Sequence, residues 1–314
     1  MKRFVAVSLS IALALAAFAG CSGKAAAPRK PGELRLLTST FPMYLFTRNV
    51  VAGRGEVTVE AMLPGSAGCP HDYALTPGDL RKIARADVFV VNGLGLEEFL
   101  GSPVTRANPK LTVLDSSKGI DELLKLTAEE GGSAEDAHHH HGDINPHLFA
   151  SPRMAAKIAR NIAEQLSKID PAGAEVYRKN AQGYASRLEA LAREFPPAGK
   201  RLARKIVTEH AVFDYFARDA GLDIVAVVEE DPGQTPSGPE MMRIIDTIRK
   251  SGAAAVFTEP QYSTKVSATI AAEAKAPVAS LDPVASGPDD APLDYYEKTM
   301  RKNFETLAKV LGKE

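Results

Sequence analysis

The sequence has only two cysteines in 314 residues, Cys21 and Cys69. Its charge is almost balanced, with 38 basic and 39 acidic residues, and no basic stripe is interleaved with aromatic side chains. Nucleic-acid binding is set aside for this reason, because such proteins concentrate Lys and Arg on one face. Beyond residue 18 there is no apolar run long enough to span a membrane. With so few cysteines, packing rather than disulfides must stabilise the folded body.

The N-terminus has the pattern of an export signal. Two basic residues precede the apolar run Phe4–Phe18, and a small pair stands directly before Cys21. The cysteine after the small pair resembles a bacterial lipobox, in which this residue is acylated and becomes the first mature residue. We therefore expect 1–20 to be a signal peptide, 21–32 a tether, and the mature protein to be a lipoprotein in the periplasm or at the cell surface. A plain signal peptide and an uncleaved anchor are the alternatives.

The hydrophobic pattern predicts two α/β lobes with mainly parallel sheets. Short β-branched runs alternate with helical stretches within 33–169 and again within 198–314. Between the lobes, apolar residues recur at alternating steps of four and three through 170–197, which predicts one long, rigid linking helix. The runs interpreted as strands lie at 34–39, 57–63, 88–92 and 111–115, and then at 205–208, 223–228, 254–258 and 277–281.

A small, acidic and histidine-rich stretch lies inside the first lobe, at about 127–145. It has no apolar period, which is typical of a surface loop. Four of the chain's seven histidines stand together in it: His138, His139, His140 and His141. Clustered imidazoles would hold a transition metal weakly, so the loop is a candidate collector or sensor. The alternative is a solvated spacer.

The other three histidines lie at the ends of predicted elements. His71 comes shortly after the second predicted strand, His147 just before a predicted helix, and His210 directly after the fifth predicted strand. Ligands of open α/β sheets bind beyond the carboxyl ends of the strands, where Asp282 also follows a strand. Three imidazoles and one carboxylate are a reasonable tetrahedral set for zinc. Any one of these histidines could be an ordinary surface or hydrogen-bonded residue, but their joint placement predicts a metal site in the cleft between the lobes.

Separate motifs in a consistent order connect the chain to a known family. They are Phe41-Pro42-Met43-Tyr44, Pro70-His71-Asp72-Tyr73, NGLGLE at 92–97, the histidine-rich loop, Pro146-His147, TEHAVFDYF at 208–216, FTEPQY at 257–262 and Leu281-Asp282-Pro283. Together they resemble the cluster A-I solute-binding proteins, the metal-binding lipoproteins of ATP-driven bacterial importers for zinc and manganese. The resemblance covers essentially the whole mature chain.

The resemblance implies a ligand set, a cargo and partners. His71, His147 and His210 would ligate the metal with Asp282 as the fourth ligand, and a monomeric protein would deliver it to a membrane permease served by a cytoplasmic ATPase. Members that favour manganese commonly have Glu where this chain has His210, and imidazole suits Zn²⁺, so zinc is the expected cargo. Because Asp282 would supply a carboxylate ligand, Mn²⁺ or Fe²⁺ is the alternative cargo. Cys69 replaces a residue that is more often polar; it is a candidate auxiliary ligand or, alternatively, a bystander thiol.

An enzyme and an adhesin are the rival functions. A zinc hydrolase needs an open coordination position for water, which Asp282 would fill here. The sequence has no H-E-x-x-H helix and no G-x-S-x-G turn, and Glu259 would be the candidate base. Glu209 is expected outside the ligand set or at the surface, where its charge could orient His210. Some lipoproteins resembling this family were first described in attachment, so adhesion stays a secondary hypothesis, and we predict a binding protein.

Overall fold

The structure is a computed structural model that describes residues 30–68, 70, 73–97, 99–125, 144–194, 204–229 and 234–312. Within these ranges eight strands form two four-stranded sheets, and every strand pairing is parallel. The first sheet has the order β2-β1-β3-β4, from β1 (Leu34–Thr38), β2 (Val57–Ala61), β3 (Val88–Val91) and β4 (Thr112–Asp115). The second has the order β6-β5-β7-β8, from β5 (Arg204–Thr208), β6 (Leu222–Val227), β7 (Val256–Thr258) and β8 (Val278–Ser280).

The strands are apolar runs because helices cover both faces of each sheet. All four residues of the inner strand β3, Val-Phe-Val-Val, are buried. The edge strand β2 differs, because Thr58 and Glu60 are exposed between partly buried neighbours. The predicted positions of all eight strands are confirmed to within a few residues.

Nine helices occur in the described residues: α1 (Phe41–Val51), α2 (Pro77–Arg85), α3 (Ser102–Ala107), α4 (Pro152–Ile169), α5 (Ala174–Glu194), α6 (Asp214–Ala220), α7 (Gly238–Ser251), α8 (Lys265–Ala274) and α9 (Tyr295–Leu311). Two of them begin with reciprocal capping boxes, which satisfy backbone amides at a helix start. Thr76 and Asp79 form the box of α2, and Ser237 and Glu240 form the box of α7.

A long helix lies between the lobes, as predicted. The helix α5 has 21 residues and follows a 3-10 turn at Pro171–Gly173, so at about 1.5 Å per residue it is roughly 32 Å long. Its buried residues recur at the predicted steps: Tyr177, Ala181, Tyr184, Leu188 and Leu191. It packs most extensively against α4, and it also contacts α1 of the first lobe and α9 of the second. The link is therefore a pair of helices joined by a tight turn.

One hydrophobic core extends through both lobes. It runs from the first sheet through α4 and α5 to the second sheet and α9. At its centre the ring of Phe46 on α1 lies 5.3 Å from that of Tyr296 on α9 and 6.2 Å from that of Tyr184 on α5. A smaller hydrophobic cluster covers the outer face of each sheet, one in the first lobe and one in the second. Because close-packed interiors resist deformation, large rotations of one lobe against the other would disrupt this shared core.

Several predicted segments lie outside the described residues. They are the signal peptide, most of the tether, the four histidines of the histidine-rich loop, and the end of the predicted linking helix beyond Glu194. Within the described ranges, none of the helices combines the length and the apolarity needed to cross a bilayer.

Candidate metal centre

In both sheets the order in which the chain adds strands reverses at the same position. The chain leaves β1 toward β2 on one side and later returns as β3 on the other, and β5, β6 and β7 repeat this arrangement. Such a reversal opens a crevice beyond the carboxyl ends of the two central strands. In the first lobe Ser39 and Asn92 stand at these ends, and in the second Glu209, His210 and Glu259 do.

His210 leaves the end of β5 directly into this crevice, and its side chain is 1% exposed. Its Nδ1 pairs with Oε1 of Glu259, which is fully buried, and Oε2 of Glu259 accepts a hydrogen bond of 2.7 Å from Gln261. A carboxylate facing Nδ1 favours the tautomer that carries the proton there, which leaves Nε2 with the lone pair. Among the described residues Nδ1 has only this contact with Oε1 of Glu259, which lacks hydrogen-bond geometry, and the buried Nε2 has no hydrogen-bond partner. Since an unsatisfied buried polar atom costs about 1–3 kcal/mol, a bound cation fits this position.

Glu209 acts on Glu259 rather than on His210. Its Oε2 accepts the backbone N–H of Glu259 at 2.6 Å, and its Oε1 accepts the hydroxyl of Ser267 at 3.0 Å. Burial raises the pKa of Glu209. The imidazole is therefore oriented by Glu259, whereas the sequence alone indicated Glu259 only as the candidate base of a zinc hydrolase. Ligands of open α/β sheets bind beyond the carboxyl ends of the strands, and Glu259 directly follows β7. This position could have indicated Glu259 from the sequence.

His147 precedes a 3-10 turn, Leu148–Ala150, and is 2% exposed. Its backbone N–H and its Nδ1 both lie 2.9 Å from Oδ1 of Asn145. The amide of Asn92 donates to the carbonyl oxygen of Pro146 at 2.9 Å, which fixes the backbone just before the histidine. The ring of His147 lies 5.6 Å from the ring of His210, centroid to centroid, at an interplanar angle of 78°. The structure thus brings one imidazole from each lobe together.

A buried carboxylate supports the His147 side of the crevice. Glu97 accepts hydrogen bonds from the hydroxyl of Ser39 at 2.6 Å and from the backbone N–H groups of Asn92 at 2.7 Å and Gly93 at 3.1 Å. Burial raises the pKa of Glu97. The residue therefore joins the ends of β1 and β3 and holds Asn92 in place for its bond to the His147 loop.

Asp282 lies just beyond β8, at the same end of the second sheet. Its Oδ1 accepts the backbone N–H of Val284 at 2.8 Å, and the side chain of Asn303 bonds both its backbone N–H and its carbonyl oxygen, at 2.9 and 2.7 Å. Burial raises the pKa of Asp282, and the negative charge of Glu259 raises it further.

A backbone contact joins the loop that leads to Pro70 and the loop that follows Asp282. Gly287 donates its N–H to the carbonyl oxygen of Gly65 at 2.8 Å, and Gly65 donates to Oδ1 of Asp289 at 2.9 Å. A Cβ on Gly65 would lie 2.2 Å from the carbonyl oxygen of Gly287, so only glycine fits. The two lobes are therefore tied together on this side of the crevice.

The described residues contain part of the predicted ligand set. His147 and His210 are adjacent, and Asp282 follows β8 in the second lobe, whereas His71, Cys69 and Cys21 are outside the described residues. In the part of the chain that is described, no three His, Cys, Asp or Glu side chains are grouped closely enough to hold a metal ion.

Comparisons with known proteins identify the family of the chain. Residues 36–310 match the family described as zinc-uptake complex component A, periplasmic. The chain is 31% identical over 300 residues to the high-affinity zinc uptake system protein ZnuA of Bacillus subtilis, covering 94% of this chain and 93% of that protein. It is 29% identical over 315 residues to the zinc-binding lipoprotein AdcA of Streptococcus pneumoniae, covering 98% of this chain but only 61% of that longer protein.

A solved structure shows the same fold with a metal bound. The solute-binding protein FpvC of Pseudomonas aeruginosa, in complex with Mn²⁺, superposes with a TM-score of 0.75 at 27% identity, over 89% of this chain and 98% of that chain. The two parallel-sheet lobes, the long helix between them and the family match over residues 36–310 lead to one assignment. This chain belongs to the family of the periplasmic component A of zinc-uptake complexes, and it is a binding protein for metal uptake, not an enzyme.

Proposed function

We propose that the protein captures one Zn²⁺ between its lobes through His71, His147, His210 and Asp282 and delivers it to the permease of an ATP-driven importer. The observation that carries this proposal is the pair of buried imidazoles, one from each lobe, with ring centroids 5.6 Å apart. Each has its Nδ1 held by a neighbouring oxygen, which makes Nε2 the donor nitrogen. Two neutral imidazoles oriented in this way suit zinc.

The zinc preference follows from the donors rather than from the fold. FpvC, which shares the fold, binds Mn²⁺, so the lobes alone do not select the metal. The ZnuA and AdcA relatives are named for zinc. A set with three imidazoles and one carboxylate is softer than a set with two carboxylates, and the softer set favours Zn²⁺ over Mn²⁺. Manganese remains the second candidate cargo because Asp282 supplies a hard oxygen donor.

Calorimetry on the full chain with Zn²⁺ and Mn²⁺ tests the site. We expect one tight zinc site that outcompetes manganese. Zinc held by four protein ligands is worth about 10–16 kcal/mol, so loss of one ligand in His210→Ala should cost roughly 3 kcal/mol, or about a hundredfold in affinity. His71→Ala and His147→Ala should behave alike. Unchanged tight binding in His210→Ala would show that the ligand assignment is wrong.

Asn180→Ala is a matched control for these variants. Asn180 lies on α5 and donates to the carbonyl oxygens of Val50 and Ala52 at 3.0 and 2.8 Å, away from both histidines. Its loss should lower the free energy of unfolding and leave zinc affinity as in the wild type. Comparable loss of affinity in the control and in His210→Ala would indicate general loosening rather than removal of a ligand.

Four further parts complete the proposal, and the first three concern residues outside the described ranges. Cys21 is acylated and anchors the protein at the extracytoplasmic membrane surface; this is supported by the lipoprotein AdcA, and Cys21→Ser should release the protein from the membrane fraction. His138–His141 bind extra zinc weakly, which calorimetry would record as a second, weaker phase. Cys69 is either an auxiliary donor or a bystander thiol, and Cys69→Ser separates the two, because it weakens zinc binding only if the thiol is a donor. The protein acts as a monomer, which sedimentation would measure.

A further inference from the structure

One buried side chain contacts the segments of both histidines. Asn145 is fully buried and lies two residues before His147. Its Oδ1 faces the backbone N–H and Nδ1 of His147, both at 2.9 Å. Its Nδ2 donates to the carbonyl oxygen of Ala211 at 2.8 Å and to Oδ2 of Asp214 at 2.9 Å. Ala211 directly follows His210, so this one amide spans the two lobes.

The surroundings fix the orientation of this amide. A carboxamide has one accepting and one donating end. A flipped Asn145 would point its N–H groups at the N–H of His147 and its oxygen at the carbonyl of Ala211 and the carboxylate of Asp214. Each of these contacts would be repulsive, so one orientation alone is satisfied. With oxygen toward His147, the Nδ1 of this histidine carries the proton and Nε2 is the nitrogen with the lone pair.

The backbone of Asn145 is held as firmly as its side chain. Its N–H donates to the carbonyl oxygen of Leu124 at 2.9 Å, and its own carbonyl oxygen accepts the hydroxyl of Tyr215 at 2.8 Å. Tyr215 on α6 also accepts the N–H of Leu124 at 3.0 Å. Asn145 therefore has no freedom to follow His147 unless the segment after His210 moves with it.

We infer that Asn145 is the positioning residue that joins the two histidines, setting the tautomer of His147 with its oxygen and fixing the distance to His210 with its amide nitrogen. The inference rests on the proposed ligand set. It predicts that both imidazoles respond together when this single side chain is changed, although they belong to different lobes. A residue that positions a metal ligand typically contributes 10–100-fold to metal affinity.

The two ends of the amide can be separated by substitution. Asn145→Ala removes both functions, and zinc affinity should fall about 10–100-fold. Asn145→Asp keeps an oxygen toward His147 but places a carboxylate against the carbonyl of Ala211 and against Asp214. In the exchange Asn145→Asp/Asp214→Asn, an amide again donates to a carboxyl oxygen, now from position 214. Affinity should therefore recover at least several-fold in the double variant relative to Asn145→Asp alone.

The decisive experiment uses the full chain with histidine ¹⁵N labels and, separately, with Co²⁺ in place of zinc. In the metal-free wild type, NMR should show the His147 tautomer with the proton on Nδ1, and Asn145→Ala should lose this single tautomer. The Co²⁺ absorption spectrum should change in Asn145→Ala and stay as in the wild type in Asn180→Ala. Identical tautomer and Co²⁺ spectra in wild type and Asn145→Ala would overturn the inference, as would equal losses of affinity in Asn145→Ala and Asn180→Ala.

Failure of the proposed function has a different signature. If His147→Ala and His210→Ala keep wild-type zinc affinity, the ligand assignment is wrong, whatever the Asn145 variants do. The tautomer measurement still decides the role of Asn145 in that case, because it needs no metal. If the histidine variants lose zinc and the Asn145 variants do not, only the inference about Asn145 fails.

Discussion

The two lobes have the same strand order, yet they hold their histidines in different ways. In the second lobe the histidine stands in the crevice itself, because His210 comes directly off β5 with Glu259 from the next strand behind it. In the first lobe the equivalent crevice is filled by Glu97, whose oxygens accept from Ser39 and from backbone amides. His147 then comes from a separate segment, held by side-chain amides. The same topology thus supports one strand-mounted and one loop-mounted histidine.

The difference predicts which substitutions disturb the histidine of each lobe. A histidine at a strand end is placed by the sheet itself, so its orientation depends mainly on the one carboxylate at its Nδ1. A histidine on a loop depends on several weaker hydrogen bonds, so most single contacts there contribute only part of its orientation. Substitution of a single polar residue should therefore have its largest effect in the second lobe, unless the residue joins both lobes as Asn145 does.

Among the substitutions that test this contrast between the lobes, the largest effect is expected from Glu259→Ala. This change removes the carboxylate from Nδ1 of His210 and leaves both tautomers open to a buried imidazole. Zinc affinity should fall about 10–100-fold, as measured by competition with a chelator. Asn92→Ala, which removes one hydrogen bond to the His147 loop, should have a smaller effect. An equal or larger loss in Asn92→Ala would contradict the contrast between strand-mounted and loop-mounted histidines.

Most of the fold follows from sequence pattern, because buried parallel strands are short apolar runs. The Val-Phe-Val-Val run of β3 could be located before the structure was known, and so could the helix α5 from its steps of four and three. The helix α4 was indicated only as a predicted helix that follows His147. The hydrophobic period of the two helices does not indicate the tight turn that pairs α4 with α5. The short helix α3 was missed, since six residues are too few for a period to be recognised.

The site was predicted less completely than the fold. His147 and His210 are found by residue type and by position at element ends, and the structure places them together. Asn145, Glu97 and Glu259 were missed in their present roles because their importance lies in contacts between segments far apart in the chain. The contact between Asn145 and Asp214 joins residues 69 positions apart, and that between Ser39 and Glu97 joins residues 58 apart. Only their positions after predicted strands could have indicated Glu97 and Glu259.

The contact between the lobes at Gly65 should be the next most sensitive position. In Gly65→Ala the new methyl group would meet the carbonyl oxygen of Gly287 at 2.2 Å, so the two loops must separate. Overpacking of this kind costs about 1–3 kcal/mol in the free energy of unfolding, which urea titration of the metal-free protein would measure. Gly183→Ala on α5, where no atom lies within 4 Å of the new methyl group, is the control and should not destabilise the protein. Equal stability of both variants would show that the contact does not tie the lobes.

The pH dependence of stability tests the buried carboxylate of the first lobe. Burial raises the pKa of Glu97 above its unfolded value of about 4.3. A raised carboxyl pKa stabilises the folded state below the unfolded value, and this contribution is lost as pH rises through the folded pKa. Glu97→Gln removes the titrating carboxyl group, so its stability lacks this pH dependence. The free energy of unfolding of the metal-free wild type, minus that of the variant, should therefore decrease as pH rises from about 4.3; an increase would show that hydrogen bonding outweighs burial.

Substitutions in the two capping boxes should have the smallest effect on stability. Each lobe has one such box, so the same change can be compared in both. In the box of α2, Asp79 is buried and accepts from the backbone N–H and hydroxyl of Thr76 and from the hydroxyl of Tyr73, at 2.6–2.9 Å. In the box of α7, the contacts of Ser237 and Glu240 are exposed. Loss of an N-cap costs about 0.5–2 kcal/mol, so Thr76→Ala should lie near the upper end and Ser237→Ala near the lower.

These two variants also separate stability from binding. Tyr73 belongs to the same motif as His71, and its bond to Asp79 ties that motif to the start of α2. Thr76→Ala should therefore weaken zinc binding several-fold in addition to lowering stability, whereas Ser237→Ala should lower stability alone. Parallel urea unfolding and chelator competition on both variants measure this. Equal zinc affinity in the two would mean that the position of His71 does not depend on the cap, and that the first lobe holds all of its histidines independently of its helix starts.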